Sequence, residues 1–294
     1  MNIELLKTRA KIVSGIRRFF DGQGFVEVET AVRIPAPAPE EHIDCPPVVG
    51  GGYLRASPEL QMKKLLAAGM DKIYQIGPCF REGERGSRHN PEFTMIEWYR
   101  KDATYLDIAH DLERLLGGLA GVASDSSRSS DSSVSSRTSP ARRLSVRDAY
   151  LEYAGWDPWQ GPWDRDRFDF DMATKIEPAI REIGGGVFLM DYPPQAASLA
   201  MLRGDVAERW EFYWNGMELA NCFTELCDKD EQLLRFKTAK ESRKLLKESD
   251  YPIDFEFIDS LPQMKSAAGV ALGVDRLVMA LTETKEISAV RAKI

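Results

Sequence analysis

Residues 78–100, PCFREGERGSRHNPEFTMIEWYR, constrain the fold of this chain more than any other stretch. Just before them, residues 72–76 (KIYQI) are rich in Ile and Tyr and read as a strand. Residues 82–90 are polar and charged and hold two glycines, which reads as a loop. Residues 93–99 are apolar and aromatic, a second strand. Together they predict an antiparallel hairpin with a long, charged tip. Alternation along the second strand puts Phe93, Met95, Glu97 and Tyr99 on one face. A carboxylate held between aromatics on a packed face is costly unless a cation or hydrogen-bond donors meet it. Glu97 therefore has two readings, a structural ion pair or a pocket for an ammonium group.

The run FREGERGSRHNPEFTMIEWY over residues 80–99 resembles motif 2 of the class II aminoacyl-tRNA synthetases in its lysyl form. The short chain points further, to the lysyl-synthetase paralogues that modify elongation factor P. Arg81 matches the motif arginine. Lysyl-tRNA synthetases carry Glu two residues later, where this chain has Gly83, flanked by Glu82 and Glu84.

A second dense match is ERWEFYWNGMELANCFTE, residues 208–225. Asn215-Gly216 between apolar runs predicts a two-residue hairpin turn. Pairing outward puts Tyr213 opposite Glu218 and Glu211 opposite Ala220, so Glu211 and Glu218 share a face as diagonal neighbours, about 7–8 Å apart. Two carboxylates that close repel unless a cation lies between them. They read either as solvated surface glutamates or as partners for Mg²⁺, which favours a few carboxylates together with substrate phosphates. Simple alternation sends Asn221 to the opposite face from Glu218, so a bulge is expected between Leu219 and Asn221. Residues 269–281 (GVALGVDRLVMAL) resemble motif 3, a glycine-bearing strand running into a helix. Gly273 permits close backbone approach to a ligand, and Asp275 is expected to cap the helix. Arg276, a cation in the first helical turn, fits if a phosphate sits there.

The rest of the chain is organised around these blocks. Residues 4–21 predict an amphipathic helix and residues 25–32 a strand. The pair resembles motif 1, which builds the dimer interface in the family, with Ala31 where the family has proline. Residues 34–48 are Pro-rich and read as irregular. Ser57 is a plausible N-cap with Pro58 as first helical residue, opening a helix at about 59–68. Residues 103–121 predict a helix with Leu106, Ala109, Leu112, Leu115 and Leu116 on one stripe. Residues 124–143, almost all Ser, Arg and Asp, read as a disordered insertion within the domain, a solvated linker or a tract for nucleic acid or phosphorylation. Residues 155–171 read as a packed loop, 187–191 as a short strand and 229–249 as a charged helix.

The chain has 294 residues, 43% of them hydrophobic, enough for one large globular domain or two small ones. No apolar run reaches membrane-spanning length. The four cysteines (Cys45, Cys79, Cys222, Cys227) form no CxxC pair, so a reducing cytoplasm is expected. The net charge of −7 lowers the expectation of tRNA binding, which draws on phosphate neutralisation. The length also leaves no room for the N-terminal anticodon-binding domain of a full lysyl-tRNA synthetase.

The resemblance implies a class II synthetase catalytic domain over residues 1–294, an α+β fold with an antiparallel sheet flanked by helices. It implies ATP-dependent activation of (R)-β-lysine, or lysine, as an adenylate, with Mg²⁺, and transfer to a lysine side chain of elongation factor P by a homodimer. Arg81 is the implied catalytic residue, bridging substrate carboxylate and α-phosphate. Glu82, Gly83, His89, Asn90, Leu219 and Gly273 join it around ATP, and Phe93 and Arg276 sandwich the adenine. Glu211 and Glu218 are assigned to the metal, Glu218 to ATP as well. Ser57, Pro58, Glu59, Glu97, Tyr99, Asn221, Phe223, Glu225 and Ala271 are assigned to the amino-acid substrate. Lysyl-tRNA synthetases have glycine at the position of Ala271, and in the paralogues this alanine goes with (R)-β-lysine. Three other readings stay open: a minimal lysyl-tRNA synthetase, an inactive regulatory paralogue, and an aspartate or asparagine enzyme. Intact Arg81, Glu218 and Arg276 oppose the second. Acidic Glu97 and Glu225 oppose the third, since they suit an ammonium group.

Overall fold

The computed structural model describes residues 2–124 and 140–292. The core of the expected Ser-rich insertion, residues 125–139, lies outside the described residues. The strands are β1 Val26–Glu27, β2 Arg33–Ile34, β3 Tyr53–Leu54, β4 Lys72–Phe80, β5 Glu92–Lys101, β6 Arg142–Ser145, β7 Gly186–Tyr192, β8 Leu202–Arg203, β9 Val206–Trp214, β10 Met217–Thr224 and β11 Ala267–Gly273. The helices are α1 Ile3–Gly22, α2 Glu59–Ala67, α3 Tyr105–Ser124, α4 Val146–Ala149, α5 Arg165–Asp171, α6 Glu177–Ile183, α7 Lys229–Leu246, α8 Phe255–Met264 and α9 Val274–Thr282.

One sheet runs β1-β4-β5-β11-β10-β9-β7-β6, with β8 paired to β9. Its centre is antiparallel, as expected, and the two edge pairs β1–β4 and β6–β7 are parallel. Period-two alternation gives each face its own core. On one face Trp98, Val270 and Trp210 pack under α1, α3 and α9 through Ile16, Leu112 and Val278. On the other, Ile73, Leu189 and Ala207 pack with Leu66 of α2, Ile180 of α6 and Leu261 of α8. This second face also carries the polar residues Glu97, Asn221 and Glu225 of the two hairpins, so the cleft opens on it.

Several expectations are corrected. The strand over residues 25–32 shrinks to Val26–Glu27. Beyond it, the buried Arg55 guanidinium donates to the carbonyls of Thr30 and Ala31, and Gln75 Oε1 accepts from Thr30 N. Side chains thus satisfy backbone groups that a ladder would otherwise pair. On α3, Leu106 is exposed, and Ile108, Ala109, Leu112, Leu115 and Leu119 form the buried stripe. Residues 165–171 are helical and not loop, started by Asp164, whose side chain accepts from Arg167 N. Helix α2 begins at Glu59, with Pro58 in the cap position, yet Ser57 Oγ still accepts from Glu59 N at 2.9 Å. Asp275 is not the cap of α9, which is Gly273. Instead its buried carboxylate accepts from Thr94 N and pairs with Arg9 and Arg291, tying α1 and the C-terminal segment to β5.

Candidate active site

The cleft floor is a lattice of side chains fixed by strand register. Glu97 of β5 is paired with Ala271 of β11, Ala271 with Asn221 of β10, and Asn221 with Glu211 of β9. The neighbouring row is Tyr99, Gly269, Phe223 and Arg209. The β9–β10 register shifts between Glu218 and Ala220, so a bulge does exist, one residue earlier than expected. It places Glu211 opposite Asn221 instead of Ala220, and it returns Asn221 to the cleft face. A Cβ on Gly269 would stand 2.0 Å from the Tyr99 ring. Only glycine lets that ring lie across β11 and aim its hydroxyl at Glu97.

At the deep end, Glu97 is fully buried and meets no cation among the described residues. Its two oxygens accept from Ser57 Oγ and Tyr99 Oη, each at 2.7 Å. The reading of Glu97 as a structural ion pair is therefore overturned. Glu225, 2% exposed, pairs through Oε2 with Lys63 Nζ, and its Oε1 has no hydrogen-bond partner. Lys63 also binds Glu59, one turn earlier on α2, so one buried ammonium serves two carboxylates. Burial pushes the Glu97 carboxyl up to about 7, helped by the charge of Glu59. Burial likewise pushes Glu225 up to about 8, against the pull of Lys63. The pocket holds more carboxyl groups than its own lysine can pair.

At the open end stand the guanidinium groups. Arg81 makes one long ion pair, 3.5 Å to Glu84, and its buried Nε has no hydrogen-bond partner. Its Cζ lies 5.3 Å from the Phe93 ring centroid. Arg276 donates to the Glu218 carbonyl at 3.0 Å and lies 2.7 Å from His89 Nε2. Burial and the charge of Arg276 hold His89 below its ordinary value, so it is neutral near neutral pH. Glu218 keeps 42% of its side chain open to the cleft, and its carboxyl is pushed up by loss of water and by the charge of Glu211.

Most of the expected residues line one cleft: Ser57, Glu59, Arg81, His89, Asn90, Phe93, Tyr99, Glu218, Leu219, Asn221, Phe223, Glu225, Ala271, Gly273 and Arg276. Glu97 lies under its floor. Glu82 and Gly83 are exposed and do not line the cleft, and Glu84 lines it in their stead. Pro58 does not line it. Glu211 is not on the lining either, because its carboxylate is taken by Arg209 and by Tyr213 Oη. Sequence reasoning missed Glu40, Lys63, Glu84 and Arg209. The Glu59–Lys63 spacing of four was the one available signal, and it reads as a surface helix pair.

The sequence profile of "tRNA synthetases class II (D, K and N)" matches residues 2–292. The chain belongs to the class II tRNA synthetases. It is 35% identical to the elongation factor P–(R)-beta-lysine ligase of Mannheimia succiniciproducens, over 99% of this chain and 94% of that protein. It is 36% identical to the protein of that name from Proteus mirabilis, over 99% and 95%. The likeness to the Yersinia enterocolitica ligase is 37% over 98% and 94%. As in the resemblance, the class II motifs converge here: β5 carries the second and β11–α9 the third, side by side in the sheet.

This charge balance has a thermal consequence. The Glu97 and Glu225 carboxyls titrate higher in the folded chain than their ordinary value of 4.5. Folding then takes up protons between that value and about 7 to 8, so stability is full at acid pH and lost as pH rises through this window. The Tm of the free class II protein should fall from about pH 5 to about pH 8, and a saturating diamino acid should cancel much of the fall. Differential scanning calorimetry across that range checks this, and a flat Tm contradicts it.

Proposed function

We propose that this enzyme activates (R)-β-lysine with ATP and passes it to a lysine side chain of elongation factor P. The observation that carries the reading is the polarity of the cleft. Carboxylates crowd one end (Glu59, Glu97, Glu225) and arginines line the other (Arg81, Arg276), Arg81 with a single long ion pair. A substrate with two ammonium groups and one carboxylate, joined to a polyphosphate, complements that gradient. The names of the relatives supply the acceptor and the β-amino acid.

In the first step a carboxylate oxygen of the amino acid attacks the α-phosphorus of ATP, an acyl–phosphate bond forms, and pyrophosphate leaves. The nucleophile is already ionised at neutral pH, so positioning and charge stabilisation suffice. Arg81 bridges the carboxylate and the α-phosphate, the guanidinium of Arg276 and the ring of Phe93 hold the adenine, and His89 and Asn90 contact the nucleotide. Glu97, Tyr99 and Glu225 receive the terminal amine. In the second step the acceptor ε-amine attacks the acyl carbon, an amide forms and AMP departs.

Among the described residues no group of three or more His, Cys, Asp or Glu could hold a metal by itself. Glu218, open to the cleft and crowded by Glu211, fits a Mg²⁺ that arrives with the phosphates. That ion, when bound, would neutralise phosphate charge. Glu211 would act on it through its charge, since its oxygens are engaged. The four cysteines are free, which suits the cytoplasm. No described helix is long and apolar enough to cross a membrane. A homodimer through α1 and β1 follows from the motif 1 resemblance, and light scattering tests it.

The test is incubation with ATP, (R)-β-lysine and elongation factor P. One added β-lysyl mass on the factor is expected. Efficient charging of tRNA with the factor left unmodified would overturn the reading in favour of a minimal lysyl-tRNA synthetase. A second expectation concerns Ala271, which lines the cleft between Glu97 and Asn221. Its methyl crowds an amine on the α-carbon, and overpacking costs about 1–3 kcal/mol. Ala271→Gly should shift preference toward α-lysine by about tenfold or more. ATP–pyrophosphate exchange with both lysines on both proteins decides it, and an unchanged ratio removes Ala271 as selector.

A further inference from the structure

The cleft contains one more carboxylate, from a segment with no regular structure. Glu40 lies between β2 and β3 in the Pro-rich stretch, and it lines the same cleft as Arg81 and Glu59. Its position is built. Arg243 of α7, 1% exposed, reaches across and donates to the Glu40 carbonyl at 2.7 Å, to the Ile43 carbonyl at 3.1 Å and to Asp44 Oδ1 at 2.6 Å. Tyr251 adds a hydrogen bond to Asp44 and accepts one from Cys45 N at 2.7 Å. A buried guanidinium spent on three acceptors of one loop fixes that loop as firmly as a strand would.

The Glu40 side chain itself is left over. Among the described residues it forms no ion pair; loss of water dominates and brings its carboxyl up to about 7, the charge of Glu59 raises it too, and Arg81, Arg209 and Lys63 lower it. The other carboxylates at the deep end each have a partner. Glu97 has its two hydroxyls, and Glu59 and Glu225 share Lys63. Glu40 lines the cleft together with Arg81, whose charge pulls on its carboxyl, whereas Glu97 is held by the hydroxyls of Ser57 and Tyr99 and Glu225 by Lys63. Glu40 is thus the pocket carboxylate on the side of the arginine that takes the substrate carboxylate.

Resting on the proposed function, we propose that Glu40 is a specificity residue that binds the substrate amine nearer the carboxylate, leaving the terminal amine to Glu97, Tyr99 and Glu225. An ammonium there restores the charge that burial disfavours and answers the excess of carboxylates. It also explains why a loop is pinned by its backbone carbonyl: the clamp leaves the side chain free for the ligand.

The test compares (R)-β-lysine with 6-aminohexanoate, which keeps the terminal amine and the carboxylate and lacks the other amine. Calorimetric Kd values are measured on the wild type, Glu40→Gln and Glu40→Asp. The Arg243 clamp grips the backbone, so both variants should keep the wild-type Tm. Glu40→Gln should weaken (R)-β-lysine by about tenfold or more, the scale of a charge-assisted hydrogen bond, and change 6-aminohexanoate by less than about twofold. Glu40→Asp, which keeps the charge, should recover part of the loss. Equal weakening of both compounds, or no change in either, overturns the inference. A wild type that binds (R)-β-lysine while the variants behave like it overturns this inference alone; a wild type that binds neither compound removes the proposed function with it.

Discussion

Arg81→Ala should lower ATP–pyrophosphate exchange by about 10²–10³-fold while the protein melts where the wild type does. Removing one donor aimed at transition-state charge costs about 3–4 kcal/mol. The fold should hardly notice, because Arg81 has one 3.5 Å ion pair to lose and an Nε that bonds to nothing. Stopped measurements of adenylate formation with either lysine give the number. Exchange within about threefold of wild type would mean that the carboxylate and α-phosphate are held elsewhere, and the mechanism proposed above would fail.

Lys63→Met should produce the largest loss of stability. Lys63 is 1% exposed and is the shared partner of Glu59 and Glu225. Removing one side of a buried pair strands the other, at about 3–5 kcal/mol. For a chain of this size that corresponds to roughly a 10 °C fall in Tm. The sign of its pH dependence is fixed. Without the ammonium, which pulls the Glu225 carboxyl down, Glu225 is more easily protonated, and once neutral it is no longer stranded. The deficit should therefore be greatest above about pH 8 and shrink toward acid pH. Adding Glu225→Gln to Lys63→Met should recover part of the Tm at neutral pH. If the single variant melts within two or three degrees of wild type, Lys63 is not the counter-ion described here.

The parts of this molecule that could be read from the chain are those where local pattern and chemistry coincide. Alternation placed Phe93, Met95, Glu97 and Tyr99 on one face, and Asn215-Gly216 placed the second hairpin. The conflict between Glu218 and Asn221 announced a bulge, though not its position. What stayed hidden depends on partners distant in sequence. Lys63 reads in the sequence like its neighbour Lys64, one more charged helix residue, until Glu225 just past β10 arrives to bury it. Glu40 sits in a stretch with no periodicity at all, and the residue that orders it, Arg243, belongs to a helix whose charge pattern reads as wholly solvated. The strand after α1 failed for a related reason, since Arg55 intercepts the backbone that would have extended it. Glu84 was passed over because the lysyl pattern directs attention two residues beyond the arginine, and this loop places its acid one residue further on.

The row Glu97, Ala271, Asn221, Glu211 crosses four adjacent strands. Neighbouring strands repeat about every 4.8 Å, so backbone hydrogen bonds alone hold the two ends roughly 14 Å apart. The sheet is in effect a ruler, and each strand contributes one graduation whose length is a single side chain. A descendant of this enzyme could move its preference among amino acids of different amine position by exchanging one graduation, with no strand displaced and no core repacked. Substrate drift in such a site would come in discrete steps of a methyl group or a carboxylate, each reachable by one codon change and each leaving the ATP end of the ruler where it was.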